Sequence, residues 1–269
     1  MATSTFSAKI TDLVGGTIDD NACDDWMTEG AKEIINQLPA NLKEKCIIYT
    51  EVTGASGTDL DSKGEVSYVT RLSASGGYYV PCRQIPSRYG GLASDSSDLN
   101  YYGTASDPVY WVSGSGSASL LHIYPDPDST QRGRIYHIAY PTIDNGTDNS
   151  IDNFPDEAEH LVVLYAATRQ LLQYQAIMSS SWNSEITQAL NNAKDVINNN
   201  SPSATTDAYG ALNNEDIEIM SAALSLASQQ LGEAGTRLQQ DSAKYQWYAD
   251  QYAKLNAEYQ RGLAALKGA

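Results

Sequence analysis

The chain has 269 residues, 41% of them hydrophobic, enough for a sizeable core in one large domain or two small ones. Its 17 basic residues against 33 acidic ones leave a net charge of -16, the wrong sign for a protein that grips nucleic acid by neutralising phosphates. The three cysteines, Cys23, Cys46 and Cys82, are odd in number and far apart, with no CxxC pair or adjacent histidine, and read as reduced thiols rather than zinc ligands.

The opening stretch MATSTFSAKITDLVGG lacks the basic flank and apolar core of a signal peptide, and no run approaches a membrane span. A soluble protein with no membrane partner is expected. Asp20 to Leu38 then reads as a helix: Trp26, Met27, Gly30, Ala31, Ile34, Ile35 and Leu38 recur at spacings of three and four, and Pro39 ends the run. Residues 1–44 are assigned to a helical core that the chain rejoins at 150–200.

Between those segments the period changes. Across residues 45–149, β-branched and aromatic runs alternate with Gly, Ser, Asp and Pro clusters: CIIYTEV, EVSYVTRLS, GYYVPC, DPVYWVS, SLLHIYP and RIYHIAYP. Roughly six strands follow from this pattern. The Gly/Ser stretch within YWVSGSGSASLLHIYPDP predicts a hairpin, and YPDPDSTQRG a second turn. The segment reads as an inserted antiparallel β-domain, a small sandwich or barrel.

The run FPDEAEHLVVLYAATRQLLQYQAIM, Phe154 to Met178, is the centre of the helical layer. Pro155 and the carboxylates of Asp156, Glu157 and Glu159 suit a helix start, and from Leu161 no polar face remains for nearly two turns. Leu161 and Leu164 are expected in the core, enclosed by the Trp26 helix and by a second amphipathic helix, Ser179 to Asn200, that carries Trp182. Residues 201–212 read as a linker. Beyond it, residues 213–269 form one long helix in which Ile217, Leu224, Leu231, Leu238, Tyr245, Tyr252, Tyr259 and Leu266 recur every seven positions. Met220, Ala227, Ala234, Tyr248 and Leu255 fill most of a second seam, which Asp241 and Gly262 interrupt. The fold class is therefore α+β, a helical bundle with a β-insert and a long C-terminal helix.

Catalytic signatures are lacking. No GxSxG, GxxxxGK[ST], HExxH or GxGxxG occurs, so an enzyme is disfavoured and no cofactor or metal is expected. His122 and His137 lie in strand-like runs where they have an opportunity to face each other; ordinary packed or exposed histidines are the stronger reading, and His160 reads as a packing residue. The loop DNGTDNSIDN, Asp144 to Asn153, lacks the glycine and closing glutamate of a calcium loop, and Asp126 and Asp128 suit turns better than metal binding. The 18 Tyr against 2 Phe point instead to assembly, because a tyrosine ring meets apolar surface while its hydroxyl stays wet.

The order of CDDWMTEGAKEIINQLP, then DPVYWV, LLHIYPDP and IYHIAYPT, then FPDEAEHLVVLYAATRQLLQYQ resembles the head-to-tail adaptor (connector) proteins of tailed bacteriophages over roughly residues 20–200. The resemblance implies a virion protein made in the host cytoplasm, a twelvefold homo-oligomeric ring beneath the portal protein and above a tail protein, and a central channel through which DNA passes unbound. The aromatic part of the last helix then supplies portal-interface candidates, Tyr245, Trp247, Tyr248, Tyr252 and Tyr259, since large aromatics dominate binding hot spots. The alternative is a trimeric fibre or adhesin subunit with a parallel coiled coil and a glycan-binding β-domain.

Overall fold

Two helices open the chain, α1 (Phe6–Val14) and α2 (Asp20–Gln37), followed after Pro39 by the single turn α3 (Ala40–Lys43). The computed structural model describes residues 4–61, 63–73, 77–115, 118–198 and 207–268. Met27, Gly30, Ala31, Ile34, Ile35 and Leu38 of the predicted stripe are buried, while Trp26 at its edge is half-buried. α1 is an element beyond those expected from the sequence. Phe6, Ile10 and Val14 recur every four residues and are all fully buried, which is the spacing of one helix face.

Among the described residues eight strands follow: β1 (Ile47–Val52), β2 (Thr58–Asp59), β3 (Val66–Leu72), β4 (Tyr79–Pro81), β5 (Arg83–Gln84), β6 (Val109–Ser115), β7 (Ala118–Tyr124) and β8 (Gly133–Ile138). The six predicted runs are all strands; the additions, β2 and β5, are two-residue edges too short to carry an alternating pattern. Two four-stranded sheets form, in the orders β1-β8-β3-β4 and β2-β7-β6-β5. The first is antiparallel, whereas β5 joins β6 in parallel, so the second sheet is mixed. Val52, Val69 and Ile135 from one sheet meet Tyr110, Leu121 and Ile123 from the other, the interdigitated core of a small sandwich. The centre of the Gly/Ser hairpin, residues 116–117, lies outside the described residues.

Among the described residues three helices follow the sheets: α4 (Asp156–Asn198), α5 (Ala208–Asn213) and α6 (Ile217–Lys267). The predicted break at Met178 does not occur. Ser179 and Ser180 lie within α4, and the Ser180 hydroxyl donates to the Ile177 carbonyl at 2.8 Å, a back-bond that satisfies a polar side chain inside a helix. With no Pro or Gly between Ser179 and Asn198, nothing stops the helix. Residues 201–206 of the expected linker lie outside the described residues, as do 199–200 at the end of the expected second helix, and the rest of the linker is α5, whose first turn is capped by the Asp207 carboxylate accepting from Gly210 N–H at 2.7 Å.

The chain separates into two units. The first comprises Met1–Phe6, Asp24–Val162 and Gly262–Ala269, and holds the sandwich. Within it the start of α4 meets the end of α6: a Cβ placed on Gly262 would lie 2.3 Å from Leu161 Cδ2, and Leu161 is fully buried. The glycine that interrupts the heptad seam is thus the site where the Leu161 side chain is seated.

The second unit comprises Ser7–Cys23 and Val163–Arg261. Here α4 and α6 run antiparallel, with Tyr165 beside Tyr259 (ring centroids 5.8 Å) and Tyr174 beside Tyr248 (5.2 Å). The segment after α1 packs on this pair. Gly15, at φ +70°, lies under the Trp247 ring, Gln251 Nε2 donates to the Leu13 carbonyl at 3.3 Å, and Tyr174 donates its hydroxyl to the Thr17 carbonyl. Asp19 N–H donates to Gln170 Oε1 at 3.2 Å, and this glutamine is itself buried in α4.

Leu164 is buried, and position 182 lies on the same helix 18 positions on, about 27 Å along it at 1.5 Å per residue, so there is no separate Trp182 helix to pack over Leu164. The Trp182 side chain lies outside the described residues. Two substitutions test this packing by urea unfolding. Gly262→Ala destabilises by about 1–3 kcal/mol, because a fully buried Leu161 has no room to yield, and Leu164→Ala costs roughly 2–5 kcal/mol.

Candidate interaction surfaces

The histidines and acidic residues that the sequence singles out are dispersed, and most of them are engaged in local structure. His122 is on β7 and His137 on β8, in different sheets, and each has its own partner. His122 Nε2 is 2.9 Å from Ser113 Oγ with its ring stacked on Trp111. His137 Nδ1 donates to the Ile138 carbonyl at 3.0 Å, which leaves Nε2 to accept from Thr50 Oγ1 at 2.9 Å in the neutral ring. His160 is exposed on the first turns of α4 rather than packed.

Acidic residues follow the same logic. Asp128 Oδ1 accepts from the backbone N–H groups of Thr130 and Gln131, and these bonds hold its carboxyl below the usual range. In the Asp144–Asn153 loop, Asp144 Oδ1 accepts from Gly146 and Thr147, Asp148 Oδ2 from Asp144, and Glu159 Oε1 from Ile151. These are turn-forming carboxylates. Among the described residues, no group of three or more His, Cys, Asp or Glu is placed to hold a metal ion.

One buried cation was not legible in the sequence. Arg71 on β3 donates from Nε to the Pro125 carbonyl at 2.7 Å, and from Nη2 to Gln131 Oε1 at 2.7 Å and the Asp126 carbonyl at 3.3 Å. It fastens the PDPD turn from beneath, satisfying carbonyls that the turn leaves unpaired.

The outer face of the first sheet carries an aromatic ladder. Tyr49, Tyr136 and Tyr68 stand in register on β1, β8 and β3, with ring centroids 5.7 Å and 4.2 Å apart. Arg134, two positions from Tyr136, extends its guanidinium over Tyr49 at 4.4 Å and Tyr79 at 4.1 Å and pairs with Glu51 at 3.1 Å. Glu51 also takes Arg132 at 3.0 Å, and its bond to Arg134 leads the causes that hold its carboxyl below the usual range. Tyr49, Tyr68 and the nearby Tyr78 are exposed.

The helices of the second unit place the portal-interface candidates unevenly. Trp247 is 47% exposed, Tyr245, Tyr248 and Tyr252 are half-buried, and Tyr259 is 4% exposed, its ring spent on Tyr165. The aliphatic half of the seven-residue repeat does the opposite. Ile217, Leu224, Leu231 and Leu238 are 71, 45, 43 and 40% exposed, while Ala223 and Ala227, one to four positions away, are buried. The seam used inside the chain is the alanine row; the leucine row flanks it and faces outward. Leu190 and Ile197 of α4 and Ile219 and Leu226 of α6 are exposed as well.

Exposed large apolar side chains in such number, with carboxylates and histidines spent on structure, define a protein built to assemble with others. The chain belongs to the SU10 adaptor protein family, whose model matches residues 1–212. It is a structural adaptor protein of a bacteriophage. The match stops short of α6, and a search of curated proteins finds no match. Among the described residues, no helix is long and apolar enough to cross a membrane.

The thiols Cys46 and Cys82 are governed by burial. Burial pushes Cys46 up to about 11 and Cys82 up to about 12, so both are neutral at pH 8 and acquire nucleophilic character only as the pH rises through those values. Iodoacetamide at pH 8 should label them on the order of a hundredfold more slowly in the native protein than in urea, read by peptide mass spectrometry.

Proposed function

We propose that this chain is a head-to-tail adaptor. Copies form a ring, twelve in number as the family resemblance implies, between the portal protein and a tail protein, with DNA passing through the centre and no specific binding to it. The observation that carries this reading is the outward-facing aliphatic row of α6, which a chain working alone would have reason to bury. Family membership supports the class of role, and the net charge of -16 suits a channel wall that releases few counterions and so does not hold the passing genome.

The portal contact is assigned to the exposed edge of Trp247, with Tyr245, Tyr248 and Tyr252 beside it. Tyr259 is left out because its ring is committed within its own chain. The same packing weighs against the fibre reading. A parallel trimer needs the heptad face of α6 free along its length, and Tyr248, Leu255 and Tyr259 are already turned toward the chain's own core.

Negative-stain imaging and native mass spectrometry of the purified protein, alone and with portal, test the ring. A closed ring that captures portal is expected; a monomer that fails to bind portal, or a compact threefold particle, overturns the reading. Trp247→Ala should weaken portal capture by about 2 kcal/mol or more while leaving helicity unchanged. The isolated protein should not retard duplex DNA at ordinary salt, and tight, salt-sensitive retardation would restore a nucleic-acid-binding role.

A further inference from the structure

Within the second unit, the paired stretches of α4 and α6 leave an apolar groove on one flank, lined by Leu190, Ala193 and Ile197 of α4 and Leu231 of α6. Lys194 and Asn198 complete the lining, so the groove is mostly aliphatic with two polar side chains, an arrangement that accepts an apolar ridge from a partner helix. The occupant is indicated by charge and by a second feature of the same helix.

The chain as a whole carries -16, yet between Ile219 and Gln240 the only charged residues are Glu233 and Arg237, of opposite sign. A contact between two copies of so acidic a protein is opposed by like-charge repulsion unless the touching surfaces are neutral. This stretch is neutral. It also bears a second apolar ridge: Ile219 and Leu226 are exposed, seven residues apart, and lie about half a turn around α6 from Ile217 and Leu224 at 3.6 residues per turn. The groove side and the ridge side are therefore different faces of one arm. A cyclic ring of more than two copies requires this kind of heterologous contact, in which one face of a subunit meets a different face of the next.

We propose that the Leu190–Ala193–Ile197–Leu231 groove receives the Ile219–Leu226 ridge of a neighbouring copy of this chain, making the α4–α6 arm the ring-forming element. The proposal rests on the ring reading above and adds to it the surface, the partner segment and the polarity of the contact. Leu231→Glu spoils the groove and keeps the ridge; Leu226→Glu spoils the ridge and keeps the groove. Both side chains are exposed, so each variant should keep the circular dichroism spectrum and melting temperature of the parent.

The test is native mass spectrometry with analytical ultracentrifugation over a concentration series. Each variant alone should raise the concentration needed for assembly by at least about tenfold, as loss of a large aliphatic contact in an interface centre does. An equimolar mixture of the two variants should form heterodimers and no rings, because only one groove and one ridge remain able to meet. As a second measurement on the parent surface, a chain carrying both Leu226→Cys and Leu231→Cys should oxidise to a ladder of oligomers, and each single cysteine variant should not. A parent ring that survives both glutamate substitutions, or a mixture that forms rings as the parent does, overturns this surface and leaves the ring reading standing. A parent chain that stays monomeric alone and with portal overturns the ring reading itself.

Discussion

The close approach of α4 and α6 is the constraint on which the helical part of the protein depends. Two helices of 43 and 51 residues pair only if the side chains between them are small or interlock. In the second unit, Ala193 on α4 and Ala223 and Ala227 on α6 are buried, and farther along the tyrosines take over, Tyr174 against Tyr248 and Tyr165 against Tyr259. In the first unit the side chain at position 262 is absent, which admits Leu161.

Because the small residues take the inner face, the large aliphatic ones are displaced to the flanks. That displacement turns a packing solution into an assembly surface. An exposed leucine row costs solubility in a lone chain and gains its value only when covered. The N-terminal segment contributes to the same economy: Gly15 and the Leu13 carbonyl meet Trp247 and Gln251, which ties the aromatic half of α6 to its own chain and leaves the aliphatic half open.

The acidic surplus is put to structural use before it serves any field effect. Asp128, Asp144, Asp148, Glu159 and Asp207 accept from backbone N–H groups at turns and helix starts, where a carboxylate meets donors that have no other partner. Two of the cations are placed against rings and carbonyls. Arg71 supports a turn from inside, and Arg134 lies between Tyr49 and Tyr79 while pairing with Glu51, so the Tyr-rich face of the first sheet is nearly neutral and rigid. Such a face suits contact with another protein better than contact with phosphate.

Local patterning in the sequence determined the stripe of α2, the six long strands, the start of α4 and the continuity of α6, because each depends on period and on the residues at its ends. It also determined the burial of Leu161 and Leu164, since a stripe with no polar face has to be enclosed. Tertiary structure alone decided which of two overlapping seven-residue rows on α6 faces the chain. Ile217, Leu224, Leu231 and Leu238 satisfy the heptad as well as Met220, Ala227 and Ala234 do, and period is blind to the distance at which the partner helix sits. It likewise decided that Tyr259 is a core residue while Trp247 keeps an open edge, that His122 and His137 belong to separate sheets, and that Arg71 is buried. Each of these turns on which distant segment comes to lie alongside, and sheet order and helix approach are set by the packing of the whole chain rather than by any window of it.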